Sequence, residues 1–176
     1  LTVTLAVGLG TALVPLVSQN LSQGVKEIRL RSKRLYPYIF GTSALLLLGS
    51  KYFFPLVFNE SFAASAPVFN IYILLIISRM IYPQTIMLGQ KRTKALLYIA
   101  ILELMINIFV SLALAFKFGL LGIAAGTVIA FSSEKIMQII YLKLKRGISI
   151  HHYVDVKPYA LYSAGLVIVW LFTILF

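Results

Sequence analysis

Cysteine is absent from this chain. No disulfide and no thiolate metal site can form, and cysteine usage says nothing of the redox compartment. Charge is scarce: 12% of residues are Asp, Glu, Lys or Arg, against about 25% in an ordinary soluble domain. Carboxylates are scarcer still. The five present, Glu27, Glu60, Glu103, Glu134 and Asp155, lie far apart in sequence, so no carboxylate pair is set up for acid–base work. No Ser-His-Asp or Cys-His constellation stands in their place. An enzyme is not expected, and neither is a cofactor.

What the chain has is apolar length. Hydrophobic residues make up 60% of its 176 positions, and the mean hydropathy is +0.94. A soluble fold of this size cannot hide so much apolar surface. The class that remains is an integral membrane protein. A spanning helix needs roughly 20 apolar residues, and six stretches meet or approach that length: 2–18, 36–58, 66–88, 95–116, 120–142 and 158–176. Membrane β-strands of about 10 alternating residues do not fit runs such as Leu161–Phe176. The expected fold is an all-α, polytopic membrane helix bundle of about six transmembrane helices. Leu1 is no initiator methionine and both ends fall within apolar runs, so the chain reads as a piece of a longer protein.

The net charge of +11 is a matter of topology rather than of nucleic acid, which is not an expected partner. Segments 19–35, 89–94 and 143–157 hold twelve of the sixteen cations, whereas 59–65 and 117–119 hold only Lys117. Basic loops stay cytoplasmic. The first helix then runs inward, the rest alternate, and the protein is a multi-pass component of a cytoplasmic membrane. Tyr36, Tyr38, Tyr82 and Tyr141 fall near the inner interface by this reading, and Tyr52, Phe53 and Phe54 near the outer one, with Trp170 in the outer half of the last helix. In the first basic segment, Leu21, Val25 and Ile28 share a helical face, with Lys26, Arg29 and Lys33 elsewhere on the wheel. Two readings stand: a short helix on the membrane surface, weakened by Gly24, or an irregular basic loop.

Charges at bilayer depth are expensive and call for a reason. Arg79 falls roughly 10 Å from the inner face by helical rise, and Glu103, on the next helix, ~12 Å from it. The two either form a buried ion pair that locks a hairpin, or Arg79 lines a cavity for an anionic head group with Glu103 setting its resting state. Lys135 is expected to snorkel to the inner head groups. As the sequence neighbour of Glu134 it should pair poorly with it, because adjacent helical residues point about 100° apart. Glu134 is open between a proton site, a partner for a cation across the bundle and a group near the interface. Lys51 is expected to snorkel outward. Asn107, Gln84 and Gln138 are expected to bond neighbouring helices. Pro15 and Pro83 invite kinks. Gly122 and Gly126 have the spacing of a close helix contact, not of a phosphate loop. His151 and His152 are adjacent in a polar loop, and no metal site is expected of them.

Several segments together resemble a family. Gly10–Ser18 is similar to the proline-containing helix that opens the second half of polysaccharide flippases. Phe54–Pro67 resembles their proline, short acidic loop and alanine-rich restart, and Gly119–Thr127 their Gly-x-x-Gly-x-Ala-Ala helix start. Asn107 and the basic stretch Lys143–Arg146 fit the same pattern. The family is the multidrug, oligosaccharidyl-lipid and polysaccharide (MOP) exporter superfamily, within which the likeness is to O-antigen and capsule flippases. The resemblance implies a MATE-like architecture of two lobes with twelve to fourteen helices, of which this chain would supply helices eight to thirteen of the C-terminal lobe. It implies flipping of an undecaprenyl-pyrophosphate-linked oligosaccharide from the inner to the outer leaflet by alternating access. Substrate contacts would come from Arg79, Glu103, Glu134 and Asn107. The partners implied are the lipid-linked oligosaccharide, the bilayer, the N-terminal lobe, a polysaccharide polymerase and glycosyltransferases, and the host is a bacterium or archaeon. A cation-coupled multidrug exporter of the same superfamily and a non-transporting polytopic membrane protein are the alternatives.

Overall fold

The computed structural model describes residues 2–57 and 59–175; the expected helix limits at Phe58 and Phe176 lie outside them. The described residues form helices and short connections, without a strand. In chain order the helices are α1 (Thr2–Gln19), α2 (Leu21–Val57), a 3-10 turn (Glu60–Ser65), α3 (Ala66–Ile73), α4 (Leu75–Arg79), α5 (Pro83–Gly89), α6 (Thr93–Phe118), α7 (Leu120–Arg146), α8 (Ile150–Tyr153) and α9 (Val156–Leu175).

Four of these, α2, α6, α7 and α9, are long and apolar enough to cross a membrane. The α3–α4 stretch and α5, bent by 48° at the break between them, pass the same test together, as a broken span or a re-entrant loop. Helix α1 (Thr2–Gln19) contains the apolar stretch Ala6–Gln19. The surface of α6 shows why the solvent must be lipid. Only Ile99 of its 26 residues is buried, and Leu97, Ile101, Leu104, Ile108, Leu112 and Phe116 are all exposed. A helix that is apolar all round and uncovered belongs in a bilayer.

Two features differ from the sequence reading. First, the basic segment after α1 is neither a separate surface helix nor an irregular loop. It is the first part of α2, one helix of 37 residues that continues through Pro37. At ~1.5 Å per residue it is about 55 Å long, well beyond a hydrocarbon core of ~30 Å, so its basic end projects. Gly24 belongs there because a Cβ on it would lie 2.6 Å from the Cα of Val17. Second, the third apolar run is not one helix. It breaks after Leu74 and again at Met80–Tyr82. Pro83 does not kink a continuous helix but opens α5 at its first position, where its missing N–H leaves nothing unpaired.

The bundle has two cores. One joins Leu13 and Val17 of α1, Ile28 of α2, Ile86 and Met87 of α5, and Tyr153 of α8. The other joins Tyr36 and Phe40 of α2, Met80 and Leu166. Tyr36 is fully buried and is not an interfacial anchor. It sits 5.9 Å from the ring of Tyr159 and 6.2 Å from that of Tyr162, with Phe40 stacked on Tyr162. The α6–α7 hairpin closes as its glycines foretell. A Cβ on Gly122 would meet the Leu114 carbonyl at 2.3 Å, and one on Gly126 the Ser111 hydroxyl at 2.4 Å. Gly119 makes the turn at φ +57.

The three basic segments converge. Lys33 reaches Asp155 at 2.7 Å and Arg29 reaches it at 3.6 Å, joining the start of α2 to the α8–α9 connection. Arg146 donates to Gln90 at 3.0 Å, joining the end of α7 to the α5–α6 turn. One end of the bundle is therefore basic, and the ends of α2, α6 and α9 lie away from it.

Candidate functional site: a cationic cavity at the helix break

The break between α4 and α5 lies against α1 and α7, and a cavity of about 190 Å³ opens there. Gly10 and Thr11 of α1, Arg79 and Tyr82 of the break, Gln84 and Thr85 of α5 and Lys135 of α7 line it. The approach of α1 depends on Gly10, since a Cβ there would stand 3.0 Å from both the Thr85 hydroxyl and the Tyr82 ring. Thr85 donates to the Gly10 carbonyl at 3.2 Å. From the other side, the Tyr159 hydroxyl donates to the Ile77 carbonyl at 2.8 Å, pairing one oxygen of the broken stretch. Irregular backbone at membrane depth is stable where it borders a cavity or protein rather than lipid.

Two cations face this space. Arg79 makes no ion pair with Glu103; its guanidinium carbon stands 4.4 Å from the centre of the Phe131 ring. Its Nε is buried and without a hydrogen-bond partner. The aromatic face holds the charge electrostatically, and the Nε donor is left unpaired.

Lys135 departs furthest from expectation. It does not snorkel to the head groups. It is 5% exposed, and its Nζ donates to Gln84 at 3.3 Å and to Gln138 at 3.5 Å. It also pairs with its neighbour Glu134 at 3.4 Å. The 100° separation of adjacent residues is spanned because both side chains are long and Gln138, one turn on, donates to Glu134 at 2.7 Å. Gln84 bonds across to α7 as expected, while Gln138 bonds within its own helix. Buried charge is tolerated when paired and hydrogen-bonded in this way.

Glu103, half-buried on α6, lies close enough to Glu134, Arg79 and Lys135 to interact electrostatically. The structure thus gathers Arg79, Glu103, Glu134 and Lys135 into one group of two cations and two carboxylates. Of the residues expected to contact substrate, only Arg79 lines the cavity. Asn107 stands apart and accepts from Ser111, on its own helix, at 2.8 Å. Lys135, Thr11 and Thr85 line the cavity without having been singled out for it. The signal for Lys135 was available in Gln138, which lies one turn further along the same helix face.

Among the described residues, no group of His, Asp and Glu is arranged to hold a metal ion. His151 and His152 are exposed, and the His152 ring meets the Ser149 carbonyl. No family model matches the chain, and neither a curated protein nor a solved structure does.

Proposed function

We propose that this chain is part of a transporter that moves a lipid-linked oligosaccharide, carried on undecaprenyl pyrophosphate, between the leaflets of a bacterial or archaeal cytoplasmic membrane by alternating access. The observation that carries the reading is the pair of cations, Arg79 and Lys135, on the wall of a cavity beside a broken helix. Transport sites are commonly built at discontinuous helices near bilayer depth, and intramembrane charges mark substrate paths. Lys135 is paired with Glu134, whereas Arg79 lines the cavity without a described carboxylate in ion-pair reach, which favours an anionic cargo over a cationic drug. The cavity accepts the pyrophosphate while the polyprenyl tail stays in lipid, and a second lobe completes the glycan surface. The convergent basic end faces the cytoplasm, in keeping with the retention of basic loops there.

The test is retention of undecaprenyl pyrophosphate, compared with undecaprenol, by the purified chain in detergent. The pyrophosphate form is retained preferentially, and Arg79→Gln and Lys135→Gln each weaken it about tenfold or more, as expected for a lost charged hydrogen bond. Equal retention of the two lipids, or indifference to both substitutions, overturns the reading.

A further inference from the structure

A second, larger cavity of about 660 Å³ lies at the end of the bundle away from the basic segments. Its wall is made by the last turns of α2 and α9, the first turns of α3, and Leu121 of α7. The volume falls within the roughly 300–1,000 Å³ of small-ligand sites. Leu47, Ile71, Leu121 and Trp170 make most of the wall apolar. None of these residues takes part in the cavity at the helix break.

One polar group in this wall is incomplete. Asn70 is 7% exposed, and its Nδ2 donates to the Thr173 hydroxyl oxygen at 3.4 Å. Thr173 in turn donates its single proton to the Trp170 carbonyl at 2.7 Å, so it can only accept from Asn70. That fixes the amide with its nitrogen toward Thr173. The Asn70 Oδ1 is then buried without any hydrogen-bond partner. Ser50 does not supply the missing donor: it spends its proton on the Leu47 carbonyl at 2.9 Å. A buried acceptor left unpaired is unfavourable and calls for a partner.

The place says what kind of molecule brings that donor. Asn70 is about one helical turn from the start of α3, so it lies ~6 Å from that helix end. At that depth polar head groups give way to acyl chains. An occupant there is amphiphilic, with its apolar part against Leu47 and Ile71 and its polar part at Asn70.

We propose that this cavity binds one phospholipid of the surrounding bilayer whose head group carries an N–H or O–H donor, seated on the Asn70 Oδ1 with its acyl chain along the apolar wall. Phosphatidylethanolamine and phosphatidylglycerol have such a donor. Phosphatidylcholine has the same phosphate and chains and lacks it.

The full chain, purified in detergent, is loaded from mixed micelles with one of the three lipids, all with identical acyl chains. Lipid retained after exchange is then counted by mass spectrometry. Phosphatidylethanolamine or phosphatidylglycerol is retained about five- to tenfold over phosphatidylcholine, the factor of one buried hydrogen bond. Asn70→Leu, which keeps the volume, abolishes that preference with helix content unchanged. Equal retention of donor-bearing lipids and phosphatidylcholine by the unmodified chain overturns the proposal. So does retention of none of them, or a preference that survives in folded Asn70→Leu. The head-group comparison uses no variant, so a folding defect cannot decide it.

Discussion

Lys135 is the residue whose environment most changes the picture of this chain. Its ammonium group is held among Glu134, Gln84 and Gln138 rather than drawn out to a membrane surface. Removing one member of a buried pair leaves the other charge uncompensated, which typically costs about 3 kcal/mol or more, while removing both is far milder. Lys135→Met is therefore expected to destabilise the bundle by about 3 kcal/mol, and Lys135→Met with Glu134→Gln to recover most of that loss. Denaturant titration in micelles, followed by helical circular dichroism, measures both. A double variant no more stable than the single one contradicts the pairing. Sequence spacing gave no warning of this pair, because the rule that neighbours diverge concerns Cβ directions. Two long side chains can curl toward a shared partner, and Gln138 supplies one. Arg79 was legible as a deep cation, but its partner was not. Phe131 stands 52 positions further along the chain, and only the fold brings its ring under the guanidinium.

At the level of helices, contacts are set by small residues and by one carboxylate. Val17 of α1 sits between Gly24 of α2 and Gly89 of α5, whose hypothetical Cβ atoms would stand 2.6 Å and 2.5 Å from it. Substituting either glycine by Leu forces α1 away and is expected to destabilise by about 1–3 kcal/mol. Gly41→Ala, where no atom lies within 4 Å of the new Cβ, should be neutral or slightly stabilising. Thermal midpoints of the three variants check this contrast. Asp155 ties α2 to the α8–α9 connection. The hydrogen bond from Lys33, together with the charges of Lys33 and Arg29, holds its carboxyl below the usual carboxylate range. The folded state thus releases this proton more readily than the unfolded one. The stabilisation is complete above the unfolded value of about 3.9 and is lost as pH falls through the lower folded value. Asp155→Asn should lower the thermal midpoint at pH 7, and the gap to the unmodified chain should close as the pH falls below about 4. A gap that stays constant with pH rules out a role for the Asp155 charge.

For the whole molecule, the long apolar runs made the membrane class and most helix positions legible, because a run of 20 apolar residues has few other uses. The break at Leu74 was not legible, and the one at Met80–Tyr82 was signalled only by Pro83. The run 66–88 is long and mostly apolar, and the interruption is supported by tertiary partners: Tyr159 on the Ile77 carbonyl and Thr85 on the Gly10 carbonyl. The aromatic group of Tyr36, Phe40, Tyr159 and Tyr162 was hidden for the same reason, since its two halves are over a hundred positions apart. The convergence of the basic segments has a direct test, made simple by the lack of native cysteine. Single cysteines at Arg31, Lys91 and Lys145 should all react with a membrane-impermeant maleimide from one side of sealed vesicles. Cysteines at Tyr52 and Lys117 should react from the other. Mixed labelling within either set would break the arrangement.

Helix α2 also has a mechanical meaning. It is one helix of 37 residues, about 55 Å along its path, gripped in its first third or so where Lys33 and Arg29 meet Asp155. Near the other end it forms a wall of the larger cavity through Leu47 and Ser50. The stretch from Lys33 to Val57 spans about 36 Å, so a turn of about 5° about the grip moves the far tip by roughly 3 Å. Helix α2 thus has the form of a lever: a small turn at the ionic grip becomes ångströms of travel at the wall of the larger cavity.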